Sequence, residues 1–527
     1  MKDTFDLVIK NGTLIDGTGS PGKKTDLAIR GGKIAFIGRL DSLANCSTID
    51  ASGCVVAPGF IDIHSHSDYL CFVAPKSESK VLDGVTMEVC GNCGSSPFPL
   101  SQQTRQRKQE GYSKYGLEID WQDAPGFFRR VEASPSSINR AFLVGHGSIR
   151  DFIMGYDCRS PGSEELSRMR EEVHLAMEAG ALGLSSGLIY PPGCFSTTEE
   201  LLALCQAVSQ LGGIYTSHIR SEGDRLLEAI EEALYLARRA EVNVEISHIK
   251  TSGKRNWPKL GAVKDLLHTA IKEGLRVSCD RYPYVAAATD LNVILPHWAQ
   301  EGGMEKELER LCDPATRKKL IEEILSNEKE TDWDSIIISS VHSTDKAEVE
   351  GKSLVDLARE KGKPPVEAAL DLLVEEKGRV WILLFSMCEE NLEEILSWDF
   401  VSIGSDSSLR TSEGPLAQGK PHPRAFGTFS RALGRYSRER GILSLEEAVH
   451  RMTGMPAQKL GLDRRGLLKE GYFADITIFN PKRVIDRATY SEPHQYSEGI
   501  EYVVVNGVLT VNGGRHTGAT KGRVIKK

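Results

Sequence analysis

GFIDIHSHSD, residues 59–68, is the stretch from which the fold can be read. Pro58-Gly59 supplies a turn, an apolar run follows, and the run stops on His64-Ser65-His66 with Asp68 beside it. Side chains two apart on a strand share a face, so both imidazoles can point to one side of a strand end. Seven other stretches are built alike, namely VTMEVCGNCG (85–94), NRAFLVGHG (139–147), ALGLSSG (181–187), GIYTSHI (213–219), VNVEISHIK (242–250), LRVSCDRYPY (275–284) and FVSIGSD (400–406). Amphipathic helices separate many of them. TEELLALCQAVSQLG opens at a Thr cap with acidic residues in its first turn, and DRLLEAIEEALYLARRA and VKDLLHTAIKEG repeat the pattern. Eight strands alternating with helices predict an α/β fold, a closed (β/α)8 TIM-type barrel.

Both ends of the chain read differently. LVIKNGTLID (7–16) alternates and then turns at Gly17 to Gly22, DLAIRGGKIAFIG (26–38) is a hairpin pattern with Gly31-Gly32 at its turn, and STIDASGCVVAPGF (47–60) continues in short strands. The last part of the chain matches the first, with FADITIFN (473–480), then IEYVVVNGVLTVNGG (500–514) with Asn506-Gly507 as a hairpin turn. The expected organisation is a small β-sandwich domain formed by residues 1–58 and 466–527, a barrel over 59–465, and an insertion after barrel strand seven at about 290–350. That insertion holds apolar loops, a charged helix KELERLCDPATRKKLIEEIL and a strand DSIIISS; its place among the barrel loops makes it a natural lid.

Composition narrows the function classes. The chain has 527 residues, 40% hydrophobic and 26% charged, so a large core is possible and bulk disorder is excluded. A net charge of −8 without a basic patch argues against nucleic acid as a partner. The N-terminus lacks the apolar region of a secretory signal, and runs such as VWILLF (380–385) are too short to span a bilayer, so no membrane association is expected. Eleven cysteines without a regular framework point to a reducing compartment, the cytoplasm. The sequence is compatible with a homo-oligomer.

The chemistry-bearing residues fall on strand ends. His64 and His66 end strand one, and Cys93, in GNCG, ends strand two between glycines that let the backbone approach an ion closely. Cys90, inside that apolar strand, reads as structural. His218 and His248 end strands five and six in the same Ser-His-Ile frame, and Asp406 ends strand eight among small residues. The C-terminal end is the catalytic face of a barrel. Imidazole and thiolate are good zinc donors, and a carboxylate near an open position can serve as base.

At these residues the chain resembles the amidohydrolase superfamily, with H-x-H on strand one, His on strands five and six and Asp on strand eight. Many members carry a carbamylated lysine on strand four; GALGLSSGLIYPP offers none, and Cys93 stands in. In this the chain resembles the N-acyl-D-amino-acid deacylase (D-aminoacylase) family, as do HSHSD, GNCG, SSGLIYPPG, SHIRSE, SHIKTSG, GKPHPRAFGTF and GIEYVVVNG. The resemblance implies a tightly held zinc on Cys93, His218 and His248, a second and weaker metal site on His64 and His66 with Cys93, and Asp406 as catalytic acid and base. It implies hydrolysis of the amide bond of a small N-acyl-D-amino acid.

For the substrate's carboxylate, Lys250 is the first candidate and Arg220 the second, since each follows its histidine by two residues. Tyr282 and Tyr284 in RYPY are candidate hydrogen-bond donors, Tyr190 in LIYPPG could assist at the carbonyl, and His146 belongs either to the pocket or to the core. Some family members clamp the carboxylate with an arginine in the loop after YPY; here that loop has no Arg between Arg281 and Arg310. Val293, Ile294 and Leu295 with Trp298 suggest an apolar pocket and a preference for neutral D-amino acids. Competing readings are a cyclic-amide hydrolase of the dihydroorotase or hydantoinase kind, a dipeptidase acting on D-terminal dipeptides, and a non-catalytic barrel.

Overall fold

Val85–Cys90 is buried at all six positions, as a parallel strand covered on both faces must be. The computed structural model, which describes residues 5–40, 46–327 and 332–527, gives it parallel partners on both sides. Numbered in chain order, the barrel strands are β1 (Phe60–Asp62), β2 (Val85–Cys90), β3 (Asn139–Phe142, resumed at Val144–Gly145), β4 (Gly183–Gly187), β5 (Ile214–His218), β6 (Asn243–Ile246), β7 (Val277–Arg281) and β8 (Val401–Ile403). Neighbours pair in parallel from β1 to β3 and from the second part of β3 to β8. The chain just beyond β8 returns to the chain just beyond β1. Asp406 N donates to His64 O at 2.8 Å, His66 N donates to Ser407 O at 3.1 Å, and Ser65 bridges Ser407 in parallel. All eight stretches read as strands from the sequence are therefore strands, and their order closes a ring.

Helices Ser163–Ala179, Thr198–Gln210, Leu226–Ala240 and Leu260–Lys272 pack their apolar faces on this ring. The cap of the second is Thr197, whose side chain accepts from Glu200 N; the following Thr198, at which the sequence pattern begins, turns its hydroxyl to Glu232 at 2.7 Å instead. Among the described residues no helix is long and apolar enough to cross a membrane.

Strands from the two ends of the chain interleave. One sheet runs Lys33–Gly38, Asp26–Arg30, Leu7–Lys10, Ser47–Asp50; in a second sheet, Val55–Pro58 pairs antiparallel with Ile476–Phe479, which pairs with Ile500–Val505. Leu7, Ile9, Leu27 and Ile29 of the first sheet share a core with Val56, Ile476, Ile478 and Val504 of the second. Gly31-Gly32 and Asn506-Gly507 both have positive φ at the two turn positions, the geometry a two-residue hairpin needs.

The excursion between β7 and β8 is larger than 290–350. Its antiparallel sheet has Trp381–Leu384 as central strand, flanked by Ala287–Asp290 and Ile336–Ser340, and it encloses its own apolar core with helices Leu354–Lys361 and Pro365–Glu375. The apolar run near 381 is thus the middle of a sheet whose partners lie more than forty residues upstream, which no local pattern announces. The charged segment 306–325 is two helices, Met304–Cys312 and Pro314–Asn327. Pro314, which has no N–H for an intrahelical bond, divides them.

Candidate active site

The strand ends bring the expected residues together. Among the described residues, two groups of side chains could each hold a metal ion: His64, His66, Cys93 and Asp406, and Cys93, His218 and His248; ligand atoms within each group lie within 4.8 Å of one another. Cys93 belongs to both. Its Sγ is 3.3 Å from His64 Nε2 and 3.5 Å from His248 Nε2. Asp406 Oδ1 is 3.0 Å from His66 Nε2 and 3.4 Å from His64 Nε2. His66, with 30% of its side chain exposed, marks the open side of the site; the side chains of His64, His218 and His248 are at most 6% exposed.

The backbone bends hard to place these groups. Cys93, His248 and Asp406 have φ of +51°, +38° and +48°, three of the nine non-glycine residues with positive φ among the described residues. Such conformations cost roughly 1–3 kcal/mol each and persist where the surroundings enforce them. Two glycines make the Cys93 turn feasible. A Cβ on Gly94 would lie 2.6 Å from Gly187 N, and one on Gly187 would lie 2.2 Å from Cys93 O, so the chain beyond β2 packs backbone to backbone on the end of β4.

A layer of carboxylates orients the imidazoles. Asp280 on β7 takes His64 Nδ1 with both oxygens at 3.1 Å and accepts from His248 N at 3.0 Å. His64 Nδ1 then carries a proton, and Nε2, 3.3 Å from Cys93 Sγ, is the atom that would face a metal. His248 Nδ1 meets Glu222 Oε1 at 3.0 Å and Lys250 Nζ at 2.8 Å, and its Nε2 faces Cys93. Neither ring nitrogen of buried His218 makes a hydrogen bond. Leaving such atoms unpaired costs about 1–3 kcal/mol each, and a coordinated cation satisfies one of them. Burial alone would raise the Cys93 thiol, but His64 and His248 outweigh it and hold the group well below its ordinary range, as a thiolate donor requires. A soft thiolate with imidazoles is a donor set that fits zinc.

Asp406 is buried against Arg424, whose Nη1 stands 2.9 Å from Oδ2. Desolvation opposes its charge, yet Arg424, His248 and His64 keep the carboxyl well below the usual carboxylate range. Arg424 is 5% exposed, its Nε and Nη1 make no well-aligned hydrogen bond, and its guanidinium lies 4.4 Å from the ring centre of Tyr282, whose buried hydroxyl also lacks a partner. A cation with spare donors thus adjoins the carboxylate, and the ring of Tyr282 lies against that cation.

The other sequence candidates divide. Tyr190 is at the site, its ring 5.1 Å from His218 and its hydroxyl 3.0 Å from Thr289 Oγ1. Lys250 is beside His248, but its ammonium is already bonded to Glu222 and to that imidazole. Arg220 is already engaged, its Nε and Nη2 gripping Glu232, both at 3.0 Å. Tyr284 turns away, its hydroxyl 3.4 Å from Asp486 and its ring under Arg431. Leu295 is in the core of the excursion with Val293, Ile294 and Trp298 packed against it, and the Trp298 indole donates to Glu323 at 2.9 Å, so this quartet builds the excursion rather than an apolar pocket. His146 is buried and bonds Glu200 at 2.8 Å, in a network with Arg150. Cys90 is fully buried inside β2. The sequence reading missed Asp280, Glu222 and Arg424. An acid inside an apolar strand was a signal for Asp280, and GKPHPRAFGTF contained Arg424 without a role being drawn from it.

Residues 47–511 match the family described as the amidohydrolase family. The chain is 35% identical to a D-aminoacylase of Alcaligenes xylosoxydans xylosoxydans over 99% of its own length and 98% of the relative's. It is 35% identical to an N-acyl-D-glutamate deacylase of the same organism, over 96% of this chain and 94% of that one. Among solved structures, the N-acyl-D-glutamate deacylase of Bordetella bronchiseptica, complexed with zinc and a phosphonate mimic of the tetrahedral intermediate, superposes with a TM-score of 0.84 at 32% identity, covering all of both chains.

Proposed function

This chain belongs to the amidohydrolase family, in the group of D-aminoacylase and the N-acyl-D-amino-acid deacylases, and from that premise we propose that it hydrolyses N-acyl-D-amino acids to a carboxylate and a free D-amino acid. The observation that carries the reading is the convergence of two metal-competent groups through Cys93, with the ionised Asp406 alongside them. Zinc held tightly by Cys93, His218 and His248, with a weaker second ion on His64, His66 and Cys93, would polarise the scissile carbonyl and bring a water's pKa toward about 7.

The protein's own groups supply the rest. Asp406 takes a proton from the attacking water through the carboxylate oxygen that faces His66, while Arg424 holds the other oxygen. After the carbonyl carbon becomes tetrahedral, Asp406 returns that proton to the amide nitrogen, the C–N bond breaks and the amine leaves. Arg424 and the Tyr282 hydroxyl, with donors to spare, take the substrate's α-carboxylate. Tyr190, beside His218, is placed to donate to the acyl oxygen. Lys250 holds Glu222, and Glu222 in turn orients His248, rather than Lys250 binding the carboxylate directly.

The preference for neutral side chains rests on cation accounting. Lys250 is engaged by Glu222 and Arg220 by Glu232. Arg424 then serves the one carboxylate every N-acyl amino acid carries, with neither of these cations spare for a second. The eleven free thiols support the cytoplasm as working compartment. The test is amine release from N-acetyl-D-amino acids and their L-enantiomers by zinc-loaded protein. D-only release, lost in Asp406→Asn, is expected; equal release from both enantiomers refutes the proposal. Faster cleavage of N-acetyl-D-Glu than of N-acetyl-D-Leu refutes the side-chain preference.

A further inference from the structure

Beneath the site lies a buried charged cluster that the reaction scheme does not use. Lys80, in the short helix Glu78–Val81, is 2% exposed. Its ammonium donates to Asp62 Oδ2 at 2.7 Å, Ser405 Oγ at 2.8 Å, Ser407 O at 3.0 Å and Ser407 Oγ at 3.2 Å. Asp62 is the residue of β1 two before His64, and Ser405 and Ser407 flank Asp406. Asp62 Oδ1 also accepts from Ser405 N at 2.8 Å and His64 N at 3.3 Å, and Oδ2 accepts from Ser405 Oγ at 2.6 Å. One ammonium–carboxylate pair therefore grips the backbone on both sides of Asp406 and, through the same carboxylate, the amide of His64.

Asp406 needs such a grip. Its φ of +48° is left-handed, and a non-glycine residue relaxes from that region unless neighbouring groups fix it. Backbone bonds from Asp406 N to His64 O and from His66 N to Ser407 O tie the turn to the chain beyond β1, but the amide of Ser405, on the near side of Asp406, is held by the Asp62 carboxylate. A second grip of the same kind serves His66: Glu88 Oε2 accepts from both flanking hydroxyls, Ser65 and Ser67, each at 2.7 Å, while Arg140 Nε binds Oε1 at 2.9 Å.

We propose that Lys80, paired with Asp62, is a positioning residue that locks the left-handed backbone of Asp406 and so aims its carboxylate. The inference rests on Asp406 as the acid/base of the proposed reaction, but its spectroscopic test does not. Lys80→Met alone would strand a buried carboxylate and endanger folding. The informative variant is K80M/D62N, which removes both charges and keeps an acceptor for Ser405 N and His64 N; Ser405→Ala, which deletes one hydroxyl and no charge, is the milder companion. Each is purified, checked by thermal unfolding, loaded with cobalt for its visible spectrum and with zinc for kinetics on N-acetyl-D-amino acids.

The expected result for K80M/D62N is a cooperative fold, altered cobalt bands, and kcat lower by about 100-fold with KM within about threefold, the signature of a misaimed group rather than lost binding. Ser405→Ala is expected to lose about tenfold in kcat. A folded K80M/D62N with parental spectrum and kcat within about twofold overturns the proposal. If that variant does not fold, Ser405→Ala decides by the same two readouts. Should the parent protein cleave no N-acyl-D-amino acid, the deacylase reading fails, and the cobalt spectra still decide the role of Lys80.

Discussion

Asp280→Asn isolates one link between β7 and the metal ligands. In the parent, both carboxylate oxygens lie 3.1 Å from His64 Nδ1, so that nitrogen must carry a proton and Nε2 is available for coordination. An asparagine of the same shape can still accept from His248 N through its carbonyl, as Asp280 Oδ1 does at 3.0 Å. Its NH2 group then points at His64 Nδ1, which favours the tautomer with the proton on Nε2. Two effects add: a charge-assisted bond worth about 1.5–3 kcal/mol becomes a neutral one of about 1 kcal/mol, and the ligand must re-tautomerise before it binds. Together they weaken the His64 position by about 1.5–3 kcal/mol, or roughly 10–100-fold in metal affinity at about 1.4 kcal/mol per tenfold. Competition with a coloured chelator measures this for both metal positions. The Cys93, His218 and His248 position is expected to change less, because only His248 N touches Asp280. Equal affinities, within about twofold of the parent at the His64 position, would refute the reasoning.

Cys93→Ser, which replaces the one ligand both groups share, is expected to lower metal content at both positions after dialysis against chelator, read by elemental analysis. Asp406→Asn is expected to lose about 10²–10⁴-fold in kcat while keeping the ion at Cys93, His218 and His248; rates near the parent would remove Asp406 from proton transfer. Gly187→Ala drives a methyl into Cys93 O and is expected to cost about 1–3 kcal/mol by denaturant unfolding, with metal binding weakened in step. Burial, with Asp290 nearby and against the hydrogen bond from Asn292 and the charge of Arg310, pushes the Glu307 carboxyl up to about 7. Its folded pKa exceeds its unfolded value near 4.5, so its contribution to stability is complete below about pH 4.5 and is lost as pH rises through about 7. Glu307→Gln should therefore match the parent near pH 4.5 and exceed it above pH 7; a pH-independent difference would contradict this.

The barrel and the ligands were legible because their signals are local. An H-x-H on one strand end, a repeated Ser-His-Ile frame and an Asp after a β-branched run each occupy a few consecutive residues, and the barrel puts such ends on one face. The binding residues were less legible because their partners come from elsewhere in the chain. Arg220 follows its histidine by two, yet Glu232, on the next helix, claims its guanidinium. Tyr284 and Tyr282 share one motif, but Asp486 draws the first away and Arg424 flanks the second. Arg424 itself opens the helix Arg424–Arg431 directly behind a Gly- and Pro-rich stretch without periodicity, and Lys80 lies in a four-residue helix, so neither had a pattern to betray it. The central strand of the excursion, Trp381–Leu384, was invisible for the same reason: its two partners are non-local.

The interleaving of the two chain ends bears on how the protein is made. Val55–Pro58 leaves the ribosome more than four hundred residues before its partner Ile476–Phe479 exists. At about 5–20 residues per second, that is a delay of roughly 20–80 s. During that interval an apolar strand has an unsatisfied edge, the template on which chains misassociate. The nascent chain must be sheltered, or its first sheet must stay loose, until synthesis is nearly complete. Slow translation near the C-terminus would lengthen the hazard, and an excess of a separately made C-terminal segment would compete for the same edge.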